Sequence, residues 1–254
     1  MIESNKICYI FDVDGTLTEP RQKILKENKN MFIHWAQNKQ CFISTGSDFS
    51  KVKEQLEQEV LNCFKLIYCC MGNEARKPNG TITRRNSFIV PTDLNLDLEN
   101  FLNNSKFKNR TGRHFEMRTG MLNFSVVGRN ANPEERSDYN NWDNINNERV
   151  KMVSFINEKY VDLEASIGGS ISIDIIQKGC DKGQVVHHLQ GLGAEKIVFV
   201  GDRCFPGGND YGIIRELKNT DIAFEWYNVS GPNDTFKLVK ENRVFSEVIN
   251  AKIL

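Results

Sequence analysis

Ile7-Cys8-Tyr9-Ile10-Phe11-Asp12-Val13-Asp14-Gly15-Thr16 is the stretch that decides the fold. An apolar run stops abruptly at two aspartates one residue apart, and a glycine follows. Such a run suits a strand buried on both faces of a parallel sheet. In those sheets chemistry collects at the carboxyl ends of the strands. Asp12 and Asp14 then stand at a working edge, and Gly15 lets the chain turn sharply away. Two carboxylates this close repel each other unless a cation joins them or one takes a proton. A plain strand followed by an Asp-rich turn satisfies the same pattern, because Asp and Gly are ordinary turn residues.

Outward from this stretch the chain keeps a regular rhythm. Residues 22–39 carry Ile24, Leu25, Met31, Phe32 and Trp35 at helical spacing. Cys41-Phe42-Ile43 reads as a second strand ending in Ser44-Thr45-Gly46-Ser47-Asp48. Ser47 or Asp48 can cap the next helix, whose face is marked by Val52, Leu56 and Val60. Residues 66–70 form a third strand candidate. Strand, helix, strand, helix, strand is the pattern of an open parallel α/β sheet.

Near residue 80 the rhythm changes. Pro78-Asn79-Gly80 signals a turn, and Thr81-Ile82-Thr83 reads as part of a hairpin. The pattern predicts a helix over 92–106, strand-like pieces at 114–118, 121–127 and 170–176, an Asn-rich loop at 140–147 and a helix over 146–160. In the last strand Ile171, Ile173 and Ile175 alternate with Ser172 and Asp174. This is the grammar of an α+β insert. After Gly179 the first rhythm returns, with a helix over 182–192 and a strand over 196–200. The expected organisation is a core of 1–82 and 184–254 interrupted by an insert of 83–183.

The chain has 254 residues and a formal net charge of +0, so bulk attraction to nucleic acid or to a membrane surface is not expected. No stretch is long and apolar enough to cross a bilayer, and the first residues lack the basic start and apolar core of a secretory signal. Seven scattered cysteines without metal-type pairing read as small buried residues of a reducing, cytoplasmic compartment. The four histidines show no ligand spacing, and Arg84 and Arg85 read as solvated surface charges.

Val198-Phe199-Val200-Gly201-Asp202 repeats the opening grammar: an apolar strand, then an acid at its carboxyl end. Asp202 would project at the same sheet edge as Asp12 and Asp14. Three carboxylates converging there make a hard oxygen site suited to Mg²⁺.

Asp12-Val13-Asp14-Gly15-Thr16, with Gly201-Asp202 and Asn209-Asp210, resembles the haloacid dehalogenase superfamily of phosphoryl-transfer enzymes. The resemblance implies a Rossmann-like α/β core with an inserted α+β cap. It implies Asp12 as nucleophile, through an aspartyl-phosphate, and Asp14 as general acid/base. Ser47 and Lys182 would hold phosphoryl oxygens, and Asp12, Asp14, Asp202 and Asp210 would form the Mg²⁺ site. A carboxylate can attack phosphorus and leave again, which splits one hard transfer into two steps.

A closer resemblance is to the eukaryotic-type α-phosphomannomutases. It rests on 11–18 followed by Pro20-Arg21-Gln22, Gly46-Ser47-Asp48-Phe49, Arg118-Thr119-Gly120-Met121-Leu122-Asn123, Gly128-Arg129, Glu134-Glu135-Arg136, Ser166-Ile167-Gly168-Gly169 through Ser172 and Asp174, and Pro206-Gly207-Gly208-Asn209-Asp210. A hexose phosphomutase must hold two phosphates, and guanidinium forks suit phosphate oxygens. Arg21 after the catalytic loop and Arg118, Arg129 and Arg136 in the insert are the candidates. Met121, Asn123, Ser172 and Asp174 complete the implied substrate set. The resemblance further implies a cap that closes over the core to exclude water, a hexose 1,6-bisphosphate activator, mannose 6-phosphate and mannose 1-phosphate as substrates, a supply of GDP-mannose and a homodimer through the cap. A Mg²⁺-dependent sugar-phosphate phosphatase and a non-catalytic sugar-phosphate sensor are the alternatives. Departures from the family pattern are Thr45 for a usual Gly, Gly72-Asn73-Glu74 for Glu-Asn-Gly, Cys180 for a Trp, and 214–219, which differ from the family's usual acidic loop.

Overall fold

Alternate side chains of the opening strand face opposite ways, and both ways lead into apolar packing. The structure, a computed structural model, describes residues 6–241. β1 (Ile7–Phe11) turns Tyr9 and Phe11 toward α1 (Lys26–Trp35). There Phe32 and Trp35 meet them edge-on, with ring centroids 5.4 to 5.8 Å apart. Cys8 and Ile10 pack the other way, in one cluster with Val185, Leu189, Ile213 and Leu217. A strand covered on both faces needs the unbroken apolar run seen in the sequence. α1 is shorter than the predicted 22–39, because Ile24 belongs to an extended lead-in whose amide donates to the Gln55 carbonyl at 3.0 Å.

β2 (Gln40–Ser44) follows. Asp48, not Ser47, then caps α2 (Phe49–Gln55): its carboxylate accepts from the Lys51 amide at 3.0 Å. α3 (Gln58–Leu61), β3 (Phe64–Cys69), β4 (Glu74–Arg76) and β5 (Ile82–Arg85) complete the first stretch. The insert carries α4 (Thr92–Asn104), β6 (Phe115–Arg118), β7 (Met121–Phe124), α5 (Pro133–Asn146), α6 (Glu148–Lys159), β8 (Leu163–Gly168) and β9 (Ser172–Gln177). Then come α7 (Gln184–Gly191), β10 (Lys196–Gly201), α8 (Tyr211–Asn219), β11 (Ala223–Asn228) and α9 (Pro232–Glu241).

The chain divides into two compact units, with junctions after Arg84 and after Asp181. Both lie two residues from the expected positions. The shift matters at one of them: Lys182 falls outside the insert, in the unit that carries Asp12. Among the described residues no helix is long and apolar enough to cross a membrane.

The first unit is built on a seven-stranded sheet ordered β11-β10-β1-β2-β3-β4-β5. The strands from β11 to β3 are parallel, and β4 returns antiparallel. From β1 the chain steps outward to one side, and it resumes on the other side at β10. The β1/β10 crevice is therefore a topological switch point, the place where open α/β sheets bind ligands. The register levels the strand ends, with Phe11 opposite Val200 on one side and Ile43 on the other.

The second unit is a four-stranded antiparallel sheet ordered β6-β7-β9-β8. Leu122, Phe124, Ile173 and Ile175 pack with Leu94, Tyr139, Met152 and Ile156. Period-two alternation puts Met121, Asn123, Ser172 and Asp174 on the opposite face. The register aligns Glu116, Asn123 and Asp174 in one row across three strands.

The predicted Asn-rich loop at 140–147 is wrong: 140–146 is the C-terminal half of α5. Asparagine is a poor helix former, but two stronger terms override it here. Asn132 and Glu135 form a reciprocal capping box, with Pro133 at the first helical position. Tyr139 and Asp143 are buried, the latter bonded to Arg149 at 2.7 Å.

Candidate active site

Asp12 lies one residue beyond β1 and is almost fully buried, and its amide donates to the Val200 carbonyl at 3.0 Å. Lys182, just before α7, is fully buried. Its Nζ donates at 2.6 Å both to Asp12 Oδ1 and to Asp210 Oδ1. Asp202 follows β10, and oxygens of Asp12, Asp202 and Asp210 all lie within 4.8 Å of one another. Two of the three carboxylates thus share one ammonium, while Asp202 Oδ2 has Arg203 Nε at 3.7 Å. Burial pushes the Asp12 carboxyl up to about 7; Lys182 pulls it back, while Asp210 and Asp202 add to the rise. Burial and then Asp210 raise Asp202 as well. Lys182 is pushed down by burial, but Asp12 and Asp210 outweigh this and hold it above its ordinary value. The surplus of negative charge and the all-oxygen donor set fit a hard divalent cation.

Two glycines let the cluster close up. Gly15 has a φ of +79°, and a Cβ there would stand 2.6 Å from Asp202 Oδ2. A Cβ on Gly201 would stand 2.6 Å from Asp210 Oδ2. The small residues after each apolar run are what allow the carboxylates to converge.

The Asp14 carboxylate is not among the three that converge here. Its Oδ1 accepts from the Arg21 amide at 2.8 Å and from Gln55 Nε2 at 2.8 Å. Its Oδ2 accepts from Ser47 Oγ at 3.3 Å. Successive positions of an extended segment point to opposite sides, yet residues two apart share a side. The tight turn after Val13, with three amides converging on its carbonyl, breaks that equivalence. Asp12 and Asp14 therefore occupy different environments.

Ser47 is held by its own loop. Its amide donates to Thr45 Oγ1 at 3.1 Å, and its carbonyl accepts from the Cys70 amide at 2.9 Å. The Met71 amide donates to the Thr45 carbonyl at 3.0 Å. Thr45, the departure from the usual Gly, thus adds a hydroxyl clasp to the loop. The facing turn carries Cys70 and Met71 at φ +51° and +61°, a strained pairing that costs on the order of 1–3 kcal/mol per residue.

In the second unit, Arg118 and Arg129 converge on a residue the sequence reading missed. Glu116 Oε2 accepts from Arg118 Nε at 3.0 Å and from Arg129 Nε at 3.1 Å. Asn123 Nδ2 donates to Ser172 Oγ at 2.9 Å and to Asp174 Oδ1 at 2.5 Å. The Asn123 Oδ1 acceptor is buried with no hydrogen-bond partner among the described residues, an open polar position on this face. Met121 lies on the same face, also buried. Burial lowers Arg129, Glu116 opposes this, and Arg118 and Arg136 reinforce it. Burial raises Asp174 against the pull of Asn123, Arg118 and Arg129. Arg136 uses two of its nitrogens on the Ala131 and Arg129 carbonyls, at 2.7 and 2.8 Å, so it shapes the loop that presents Arg129.

Gln55 and Thr18 were also missed. A polar residue on the buried stripe with Val52 and Leu56 was the available signal for Gln55. Arg84 is no solvated charge; its Nη2 donates to Gln184 Oε1 at 3.0 Å. His188 bonds the buried Tyr68 hydroxyl at 2.7 Å, a structural contact.

Residues 29–246 match the family described as eukaryotic phosphomannomutase. The chain is 33% identical over 255 residues to phosphomannomutase 1 of Dictyostelium discoideum, covering 93% of this chain and 96% of that protein. It is 34% identical over 236 residues to a phosphomannomutase of Arabidopsis thaliana, covering 90% and 93%. A solved haloacid dehalogenase-like hydrolase from Bacteroides thetaiotaomicron superposes with a TM-score of 0.57 at 13% identity, over 94% of this chain and 99% of that one. At that identity the likeness speaks for the fold alone.

Proposed function

The chain belongs to the eukaryotic phosphomannomutase family, and from that premise we propose how its residues interconvert mannose 6-phosphate and mannose 1-phosphate. Asp12 attacks phosphorus and carries the phosphoryl group as an aspartyl-phosphate. Asp14 gives a proton to the departing sugar oxygen and takes one from the sugar hydroxyl in the return step. Ser47 and Lys182 hold phosphoryl oxygens, and Lys182 offsets charge that grows in the transition state. Mg²⁺ held by Asp12, Asp202 and Asp210 would supply further charge neutralisation at the phosphoryl group.

A mutase needs a second anchor, because the sugar carries a phosphate at each end midway through the cycle. Arg21, Arg118 and Arg129 are the phosphate-binding candidates, with Arg136 supporting Arg129. Met121, Asn123, Ser172 and Asp174 meet the sugar. A hexose 1,6-bisphosphate primes Asp12, and the product feeds GDP-mannose synthesis. The reading includes a cytoplasmic homodimer joined through the insert, acting on small hexose phosphates and on neither nucleic acid nor membrane. Buried thiols at Cys8, Cys41, Cys69 and Cys204 suit a reducing compartment.

One observation carries the catalytic assignment. Two carboxylates one residue apart are separated chemically: Asp12 is bonded to a buried ammonium, and Asp14 to a serine hydroxyl, an amide side chain and a backbone amide. Divergent environments for paired acids mark distinct roles. The test is phosphorus NMR on the protein with mannose 1-phosphate, Mg²⁺ and catalytic mannose 1,6-bisphosphate. Appearance of mannose 6-phosphate supports the mutase; steady release of inorganic phosphate without isomerisation makes the chain a phosphatase.

A further inference from the structure

Gln55 ends α2 on its buried stripe and is 3% exposed. Its main chain is pinned, since its carbonyl accepts from the Ile24 amide at 3.0 Å. Its Nε2 donates to Asp14 Oδ1 at 2.8 Å and to Thr18 Oγ1 at 3.0 Å. The Thr18 hydroxyl spends its own proton on the Val13 carbonyl at 3.4 Å. Its lone pair therefore faces Gln55. An amide oxygen turned to that position would meet a lone pair and a carboxylate oxygen, so the nitrogen edge is the one that fits.

Asp14 Oδ1 has a second N–H donor in the Arg21 amide. Arg21 reaches it with a φ of +62°, a conformation that costs on the order of 1–3 kcal/mol and is kept only where surroundings enforce it. Neither donor can accept a hydrogen bond in return. A proton on Oδ1 would point at two N–H groups. Oδ2 meets only the Ser47 hydroxyl among these partners, and a hydroxyl can donate or accept.

We propose that Gln55 is a positioning residue for the acid/base step: with the Arg21 amide it confines the transferable proton to Asp14 Oδ2 and fixes the plane of that carboxyl group. The inference rests on the roles given above to Asp12 and Asp14. In the step concerned, the bond from phosphorus to the sugar oxygen breaks and the bond from phosphorus to the Asp12 carboxylate oxygen forms. The proton on Asp14 Oδ2 passes to the sugar oxygen, leaving Asp14 ionised. The return step reverses each change. A weakly basic leaving group such as 4-nitrophenolate departs without a proton.

The dependence on leaving group is the test. Single-turnover phosphorylation of Asp12 is followed with mannose 1,6-bisphosphate and with 4-nitrophenyl phosphate, for the unmodified protein, Gln55→Leu and Gln55→Glu. Gln55→Leu removes the donor, and Gln55→Glu replaces it with an acceptor of the same shape. A loss of about 10²-fold is expected with the sugar donor, the scale of general acid catalysis, against less than about threefold with 4-nitrophenyl phosphate. Equal losses with both donors reduce Gln55 to a packing residue, and an unchanged rate with the sugar donor overturns the proposal. Where neither variant folds by circular dichroism, Thr18→Val frees the amide to rotate; the same donor-selective loss is expected, and its absence counts against the idea. Failure of the unmodified protein to phosphorylate Asp12 from either donor would instead refute the roles of Asp12 and Asp14.

Discussion

Lys182 Nζ stands 2.6 Å from Asp12 Oδ1, and both groups are buried. The same ammonium holds Asp210 Oδ1 at an equal distance. Removing it would leave two buried carboxylates without compensation. Breaking a buried pair from one side costs about 3–5 kcal/mol. Lys182→Met is expected to lose stability of that order in urea at neutral pH, and to lose about 10²–10³-fold in turnover, as for a deleted transition-state donor. A stability change below about 1 kcal/mol would show that the carboxylates are relieved by something else, such as water.

The raised Asp12 carboxyl sets a pH dependence for the metal-free protein. Folded, the group titrates near about 7; unfolded, near about 4. Between these values the folded chain holds a proton that the unfolded chain has released. The contribution of Asp12 to stability therefore falls as pH rises through the window, and the loss is complete above about 7. Asp202, also raised, acts in the same direction. In chelator the urea midpoint is expected to drop between pH 5 and pH 8. Saturating Mg²⁺ should shrink that drop, because the cation binds ionised carboxylates. A midpoint that climbs over the same interval in chelator would contradict this.

Glu116 sits between two guanidinium groups that are the candidates for gripping phosphate. An entering phosphate has to compete with this carboxylate. Glu116→Gln is expected to tighten binding of inorganic phosphate severalfold, on the order of 1 kcal/mol, with a gain that fades in high salt. Isothermal titration at low and high ionic strength measures both features. Weaker binding would mean that Glu116 orients the arginines more than it competes.

Asn132 offers a stability change away from the chemistry. Its side chain accepts from the Glu135 amide at 2.9 Å, and Glu135 answers at 2.8 Å. Asn132→Ala is expected to cost about 1 kcal/mol in urea unfolding. Turnover should stay within about twofold of the unmodified protein.

The parallel core was legible because β1 and β10 write burial on both faces as unbroken apolar runs ending in acids. Asp12 and Asp202 meet through strand order and register, which the repeated grammar implied; Asp210 stands at the start of α8, and only the family resemblance pointed to it. Asp14 was legible as an acid but not as a separate one. Its environment depends on how the turn after Val13 closes, and on Gln55 arriving from another element. α5 was hidden because its asparagines speak for a loop, while its cap and its buried Tyr139 and Asp143 are tertiary facts. Glu116 was hidden for a different reason. Its two partners belong to β6 and to the loop after β7, and only strand pairing brings them together.

β1 is an interior strand of its sheet, yet its two neighbours are made at very different times. β2 follows it closely in the chain, whereas β10 is synthesised only after the whole insert. Until Lys196–Gly201 leaves the ribosome, Ile7–Phe11 is an edge strand with a bare row of amides and carbonyls and an apolar flank. Such edges recruit other chains. A polypeptide truncated anywhere before β10 should therefore be a poorly soluble, self-associating fragment, however well its insert folds.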